Sequence, residues 1–286
     1  MRKRLLILTV AVSCAAMASA QDGSLLRKLL VENSTETYKV TIGGSQNIEV
    51  PGQGPMDIAY KGGYDWIFKY KTIDKTKDVA DVDVTVKDLK FEMDGGMMGQ
   101  GPEMPKEIVS TGKMDGRYRL SELKSQSPNM QMMMTMGAGS AVSPFIELPE
   151  KPVKVGDSWE AKLPKNPFLG DVEVKLKATF KGDGKLEDKT GNLIELEGDV
   201  PLNVDLSKVL AEMAKSGNDP SGGAMADMKM TMKGAMKVKV SVVLDKASGK
   251  ALVSIVTVDS NSTMELVDMG MSIPTKGKST VKLVLQ

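Results

Sequence analysis

The chain has 286 residues, 22 of them methionine, with no histidine and one cysteine. Lys and Arg number 38 against 37 Asp and Glu, a net charge of +1, and no basic block is present, which excludes an electrostatic nucleic-acid binder. The missing histidine and lone cysteine also exclude His-based triads, a histidine pH switch, a disulfide scaffold and ordinary zinc or haem sites.

Residues 1–20 read as a secretory signal peptide. Arg2, Lys3 and Arg4 form the charged start, and Leu5 to Ala16 is an apolar run too short to span a bilayer. Ala18-Ser19-Ala20 is a small-x-small cleavage site that starts the mature chain at Gln21. A second reading takes Ala11-Val12-Ser13-Cys14 as a lipobox, with the chain anchored through a lipidated Cys14. Removing residues 1–20 leaves 35 basic against 37 acidic residues and no cysteine. The expectation is an exported protein, periplasmic or extracellular. No later segment approaches membrane-spanning length.

The cluster Leu25, Leu26, Leu29 and Leu30 predicts a short helix or an edge strand over Ser24–Leu30. Val82, Val84 and Val86 alternate with polar residues, the period of a strand with one buried face. Asp115-Gly116 separates two short strands as a type I′ hairpin turn does. Met93–Lys106, Ser125–Ser143 and Ser216–Ala226 are long stretches rich in Gly, Pro, Ser or Met without periodicity, the length class of functional or disordered loops.

Pro144, Pro149 and Pro152 punctuate the middle of the chain. They divide it into an N-terminal β-rich half, residues 21–148, and a C-terminal β-rich half, residues 149–286. Gly62-Gly-Tyr-Asp-Trp66 echoes Gly156-Asp-Ser-Trp159, and Asp115-Gly116 echoes Asp245…Gly249. The offsets differ, about 93 and about 130 residues, which leaves internal duplication open.

The segment Leu148-Pro-Glu-Lys-Pro-Val-Lys-Val-Gly-Asp-Ser-Trp159 resembles the signature of a family of exported bacterial proteins of unknown function. The hairpin Asp245…Gly249 is similar to theirs, and the resemblance extends loosely over residues 110–286. It implies a curved antiparallel half-barrel of the kind found in envelope lipoprotein carriers, and no activity. Physically, Val153 and Val155 share a face, Gly156-Asp157 turns the chain, and Trp159 plugs the end of a barrel or contacts a ligand.

Val172–Phe180, Ile194–Val204 and Val281–Leu285 alternate in the same way, with Gly182-Asp-Gly184, Thr190-Gly-Asn192 and Ala247-Ser-Gly249 as turns. Asp205 or Ser207 caps a helix with Leu206, Val209, Leu210 and Met213 as its stripe and Gly217 as its end. From Met228 to Leu244 every second residue is apolar except Gly234, which marks a bend. Half of that face is methionine, the most adaptable apolar side chain.

Ser110-Thr-Gly-Lys113, Ser127-Pro-Asn129 and Lys189-Thr-Gly191 match the three short motifs of penicillin-recognising enzymes. Those motifs need the serine at the start of a buried helix, and here it falls in a strand. Carboxylate pairs such as Asp81/Asp83 and Glu195/Glu197 sit on polar strand faces, where solvated charge is expected. Methionine thioethers bind Cu(I), but a copper site usually gathers three of them, often with a histidine.

These readings predict a mainly β protein: one or more curved antiparallel sheets, half-barrel or sandwich-like, with one or two short helices. The role expected is non-catalytic, with no cofactor or metal. A lipid or other apolar ligand would occupy a cavity lined by Met228, Met230, Met232, Met236 and Trp159. The alternatives are a ligand-free structural or interaction module of the cell envelope, and methionine-based Cu(I) binding. No nucleic-acid partner and no transmembrane segment after signal cleavage are expected.

Overall fold

The alternating segments form eleven strands in a computed structural model that describes residues 23–52, 54–94, 106–125, 145–162, 174–207 and 229–286. They are β1 (Thr35–Val50), β2 (Gly54–Asp74), β3 (Val79–Asp94), β4 (Glu107–Asp115), β5 (Leu120–Ser125), β6 (Ser158–Lys162), β7 (Lys175–Leu186), β8 (Lys189–Asp205), β9 (Met230–Leu244), β10 (Ala251–Leu266) and β11 (Met271–Leu285). The signal-peptide segment, Cys14 and Met228 lie outside the described residues, as do most of the three long loops and most of the helix expected over Asp205–Gly217.

All eleven strands belong to one antiparallel sheet, curled but not closed, in the order β5-β4-β3-β2-β1-β11-β10-β9-β8-β7-β6. The mainly β, curved antiparallel fold is therefore as expected. Each half of the chain is a meander, and the seam between the halves is β1 beside β11, with Tyr38 opposite Leu285 and Ile42 opposite Val281. Among the described residues, 145–157 lead from one half into β6 of the other.

Directly paired residues share a face, so the register assembles one continuous inner surface. Tyr38, Val40 and Ile42 of β1, Val82, Val84 and Val86 of β3, Leu196 of β8, and Val238, Val240 and Val242 of β9 all face it and are buried. Burying each such side chain is worth about 1.5–3 kcal/mol, and this sheet-wide surface is what stabilises a chain without disulfides.

Two glycines show how tightly the sheet curls. A Cβ on Gly234 would lie 2.5 Å from Ser262 Cα and closer still to Asn261 O. The bend expected at Gly234 is thus a place where the neighbouring strand leaves no room for a side chain. Gly44 is equally crowded: a Cβ there would meet the Tyr60 hydroxyl and approach Lys278 O to 2.5 Å.

Helical content departs from expectation. The one bounded helical element among the described residues is a 3-10 turn, Val267–Met269, closed by Gly270 in the left-handed region. Leu206 and Ser207 begin a helical turn. Ser24–Leu30 forms no helix and, beyond one bridge of Ser24 to Val153, no strand. It is tied down instead by hydrogen bonds from Lys28 N to Gly116 O and from Leu29 N to Ser248 O.

Turns moved too. Gly182 lies inside β7, with φ +83° at a break in register, so Gly182-Asp-Gly184 is a bulged strand segment rather than a turn. Thr190-Gly-Asn192 lies within β8, and Glu187-Asp188 makes the connection. At Asp115-Gly116 the hairpin exists but is longer than type I′. Residues 116–119 form the loop, and Tyr118 takes the left-handed position with φ +64°. The Asp115 carboxylate accepts from the backbone N–H groups of Arg117 and Arg119 and from Arg119 Nε, which fixes that loop.

Candidate functional site

The two ends of the curled sheet differ in chemistry. One end carries the starts of β1 and β10, the ends of β2, β4, β9 and β11, and the crossing segment. Here aromatic rings fill the inner surface. Phe145 packs within 5.6 Å of Tyr38, Trp66, Phe68 and Tyr118, measured between ring centroids. Tyr118 spans the sheet: its hydroxyl donates to Gly249 O and accepts from Ala251 N–H, tying the β4–β5 loop to the β9–β10 loop.

Within this closed end lies a buried ion pair. Lys28 Nζ is 2.5 Å from a Glu36 carboxylate oxygen and about 5 Å from the ring centres of Tyr70 and Tyr118. Tyr38 and Tyr70 hydroxyls donate to the same carboxylate. Burial lowers the Lys28 pKa, against the pull of Glu36, and raises those of Tyr38, Tyr70 and Tyr118. Every member has a partner inside the protein, so this cluster acts as a structural lock.

At the opposite, far end the same inner surface continues but is less evenly covered: Val204, Met230 and Ile273 stay buried. Ile48 and Val50 of β1, Met56 and Ile58 of β2, Met264 and Leu266 of β10 and Met271 of β11 are all intermediate in exposure. The strands β3 and β8, after which the first and third long sequence loops follow, run out to this end, whereas β5 stops at Ser125, level with Val84 and Phe68.

The predicted site residues fall in different places. Met230 and Met236 are buried on the inner surface of β9, and Met232 beside them is half-buried. The register sets Met232 directly opposite Met264 of β10 and Val204 of β8. Two thioethers thus face each other there. No cluster of three or more His, Cys, Asp or Glu able to hold a metal is found among the described residues. Trp159 stands apart on the edge strand β6, half-buried, with Nε1 donating to Glu147 O at 2.8 Å. In the sheet order β7 and β8 lie between it and the methionine strand β9.

The signature around Trp159 has a structural explanation. Lys154–Asp157 forms a turn with Gly156 at φ +92°. Gly156 N–H donates to Phe180 O and Asp157 O accepts from Phe180 N–H, so the turn docks on the bulge of β7. A Cβ on Gly182 would lie 2.7 Å from Val155. Val153 is buried and Val155 is 63% exposed, so the two do not share a face as expected; the tight turn rotates the second away.

Ser110 and Lys113 sit on opposite faces of β4, because three residues along a strand reverse the side. Ser110 is buried inward, and Lys113 pairs with Glu122 on the outer face. Lys189 belongs to β8, with six strands between in the sheet order. The first and third motifs are thus far apart in the sheet, and Ser127-Pro-Asn129 lies outside the described residues. A concavity of about 470 Å³ lies on the polar face over β7, β8 and β9, lined by Lys177, Lys181, Glu195, Glu197 and Lys239, where solvated charge was expected.

Sequence reasoning missed the inner aromatics of β2. Tyr60, Tyr64, Trp66, Phe68 and Tyr70 alternate perfectly apart from Gly62, and that period-two run was legible. Trp66 Nε1 is a buried polar side-chain atom without a hydrogen-bond partner among the described residues.

No protein-family model matches the chain, and no curated protein matches it. Among solved structures, lipovitellin, described for its lipid–protein interactions, aligns with TM-score 0.43 and 11% identity over 90% of this chain. The chain spans 25% of that lipovitellin chain. DynF, from the dynemicin biosynthesis pathway of Micromonospora chersina, aligns with TM-score 0.26 and 9% identity over 92% of this chain and 85% of its own. A hot dog fold protein of unknown function from Alicyclobacillus acidocaldarius gives TM-score 0.12 and 7% identity over 86% and 78%. Likenesses this slight carry no argument about activity. No helix among the described residues is long and apolar enough to cross a membrane.

Proposed function

We propose that this is an exported, non-catalytic protein that holds the hydrocarbon chain of a lipid against the far end of its inner surface. The observation that carries the reading is the change in burial along one face. Val40, Ile42, Val240 and Val256 are buried, whereas Ile48, Met56, Ile58, Met232, Met264 and Met271 on the same face are only half-buried, beside Val204, Met230 and Ile273, which stay covered. A purely structural sheet gains by covering such residues, at about 25 cal/mol per Å² of apolar surface. A surface that keeps them accessible has a use for them, and methionine adapts to guests of varied shape.

Export rests on the charged start, apolar run and small-x-small site of residues 1–20. The absence of histidine from the whole chain supports the non-catalytic part, since the commonest acid–base group is unavailable.

The test is extraction of the purified protein into organic solvent followed by mass spectrometry, with titration of a long-chain lipid probe into the delipidated protein. Saturable binding that weakens on replacing Met232 and Met264 by Asn supports the reading. Absence of both co-purifying lipid and probe binding overturns it in favour of a ligand-free interaction module.

A further inference from the structure

The far-end surface explains how a hydrocarbon tail is held. Trp66 adds information about the other end of the ligand. Its side chain is 6% exposed, on the inner face of β2, opposite Tyr38 of β1 and Val86 of β3. Phe68 and Phe145 pack around it with ring centroids at 4.8 and 5.4 Å. Among the described residues its indole N–H has no acceptor, whereas the indole N–H of Trp159 is satisfied by Glu147 O. A buried donor left unpaired costs about 1–3 kcal/mol, and a phenylalanine would fill a similar volume without that cost. Tyr64, two residues toward the far end on the same face, is half-buried, and burial alone raises its pKa.

We propose that Trp66 Nε1–H donates a hydrogen bond to the carbonyl oxygen of an uncharged acyl ester or amide, with the acyl tail running toward Ile58 and Met56. This rests on the lipid-binding reading above and names the headgroup chemistry of the same site. The direction fits the strand: Trp66 to Ile58 is eight residues, roughly 26 Å of extended chain, on the order of a long acyl tail. The uncharged carbonyl follows from the surroundings. Lys28, the buried cation of this end, is already neutralised by Glu36, and a carboxylate placed against Phe68 and Phe145 would be buried without a countercharge. A neutral carbonyl needs one donor, and one is waiting.

Two tryptophans in the chain make the test direct. The full mature protein is labelled with ¹⁵N, and its two indole N–H signals are assigned with a Trp159→Phe variant. Methyl palmitate, palmitic acid and hexadecane are then added in separate titrations. The expected result is a downfield move of the Trp66 indole proton with the ester, an unmoved Trp159 signal, and no hydrogen-bond shift with the alkane. Trp66→Phe should weaken ester binding about three- to tenfold more than it weakens alkane binding. Ester binding with a stationary Trp66 signal, or with equal affinity in Trp66→Phe, overturns the headgroup proposal and leaves the lipid reading standing. Stronger binding of the free acid than of the ester overturns it as well. If none of the three probes binds, the lipid reading itself fails and takes the proposal with it. The spectra use the wild-type chain, so the outcome does not depend on the Phe variant folding.

Discussion

Lys28 Nζ lies 2.5 Å from a Glu36 carboxylate oxygen, with both side chains at most 3% exposed. The pair joins the segment before the first strand to the inner face of β1, beneath the rings of Tyr70 and Tyr118. Removing Lys28 leaves the buried Glu36 carboxylate with the more distant, partly exposed Lys250, 3.5 Å away, as its cation. Lys28→Met should therefore cost about 3–5 kcal/mol of unfolding free energy, and Lys28→Met with Glu36→Leu should recover much of it. Urea unfolding of the three proteins checks this. A single mutant no less stable than the double would show that Glu36 does not need its partner.

The alkaline limit of stability should be set by tyrosine. All five tyrosines, Tyr38, Tyr60, Tyr64, Tyr70 and Tyr118, have pKa values raised by burial. Above pH about 10 the unfolded chain loses phenolic protons that the folded chain keeps, so stability falls with rising pH, by up to about 1.4 kcal/mol per unit for each tyrosine. Lys28 acts in the opposite sense. Its pKa is lowered by burial, so in the window below its ordinary value the unfolded chain holds the extra proton and stability rises with pH. Five groups outweigh one. Tyrosinate absorbance and far-ultraviolet circular dichroism should change together in one cooperative step above pH 10. Independent titration of tyrosines in a folded chain would contradict this.

Gly43 and Gly44 form a matched pair. A Cβ on Gly43 would find its nearest neighbour, Tyr60 O, at 4.0 Å, while one on Gly44 would collide with Tyr60 Oη and Lys278 O. Gly43→Ala should be neutral or stabilise by about 0.4–1 kcal/mol through the unfolded chain. Gly44→Ala should destabilise by at least about 1–3 kcal/mol, since backbone cannot yield as a side chain can. Thermal melts of the two variants side by side are sufficient, and equal shifts would refute the tight curl at Gly44.

Tyr118→Phe removes one hydroxyl that serves both Gly249 O and Ala251 N–H. The ring and its stacking on Phe145 remain, so the loss isolates the cross-sheet link. It should cost about 1–3 kcal/mol and raise amide exchange at Ala251 ahead of β10. Unchanged protection at Ala251 would mean that the link is not holding the β9–β10 loop.

The methionines should separate into two energetic classes. Met236, 7% exposed within the core, should lose about 2–5 kcal/mol on replacement by alanine. Met232, half-buried at the far end, should lose roughly half as much. Added lipid should raise the melting temperature of the wild type more than that of Met232→Ala. Identical costs at both positions would mean that the inner surface is covered uniformly.

Much of the sheet was legible because strands with one buried face declare themselves by period two. Val238, Val240 and Val242 read as buried and are buried, as do Val82, Val84 and Val86. The aromatic run of β2 carries the same period-two signal, in which Trp66 belongs to the buried row and not only to the Gly62–Trp66 echo. Turn positions were less legible. Gly182 looks like a turn residue in sequence, and only pairing with β8 shows it to be a bulge. Lys28 was invisible, because nothing in a leucine cluster says that a lysine between Arg27 and Leu29 will be driven inward to meet Glu36.

By itself the sequence determined the secondary structure class, which side of most strands is buried, and the absence of histidine and disulfide chemistry. These follow from residue identity and local spacing. Tertiary structure decided that both halves share one sheet through β1 and β11, that one end is sealed by Lys28, Glu36 and the aromatic rings, and that Met232 stands opposite Met264. Those outcomes depend on register between strands far apart in the chain. A slip of one residue in that register would turn every inner side chain outward, and no local pattern encodes which distant strand supplies the partner.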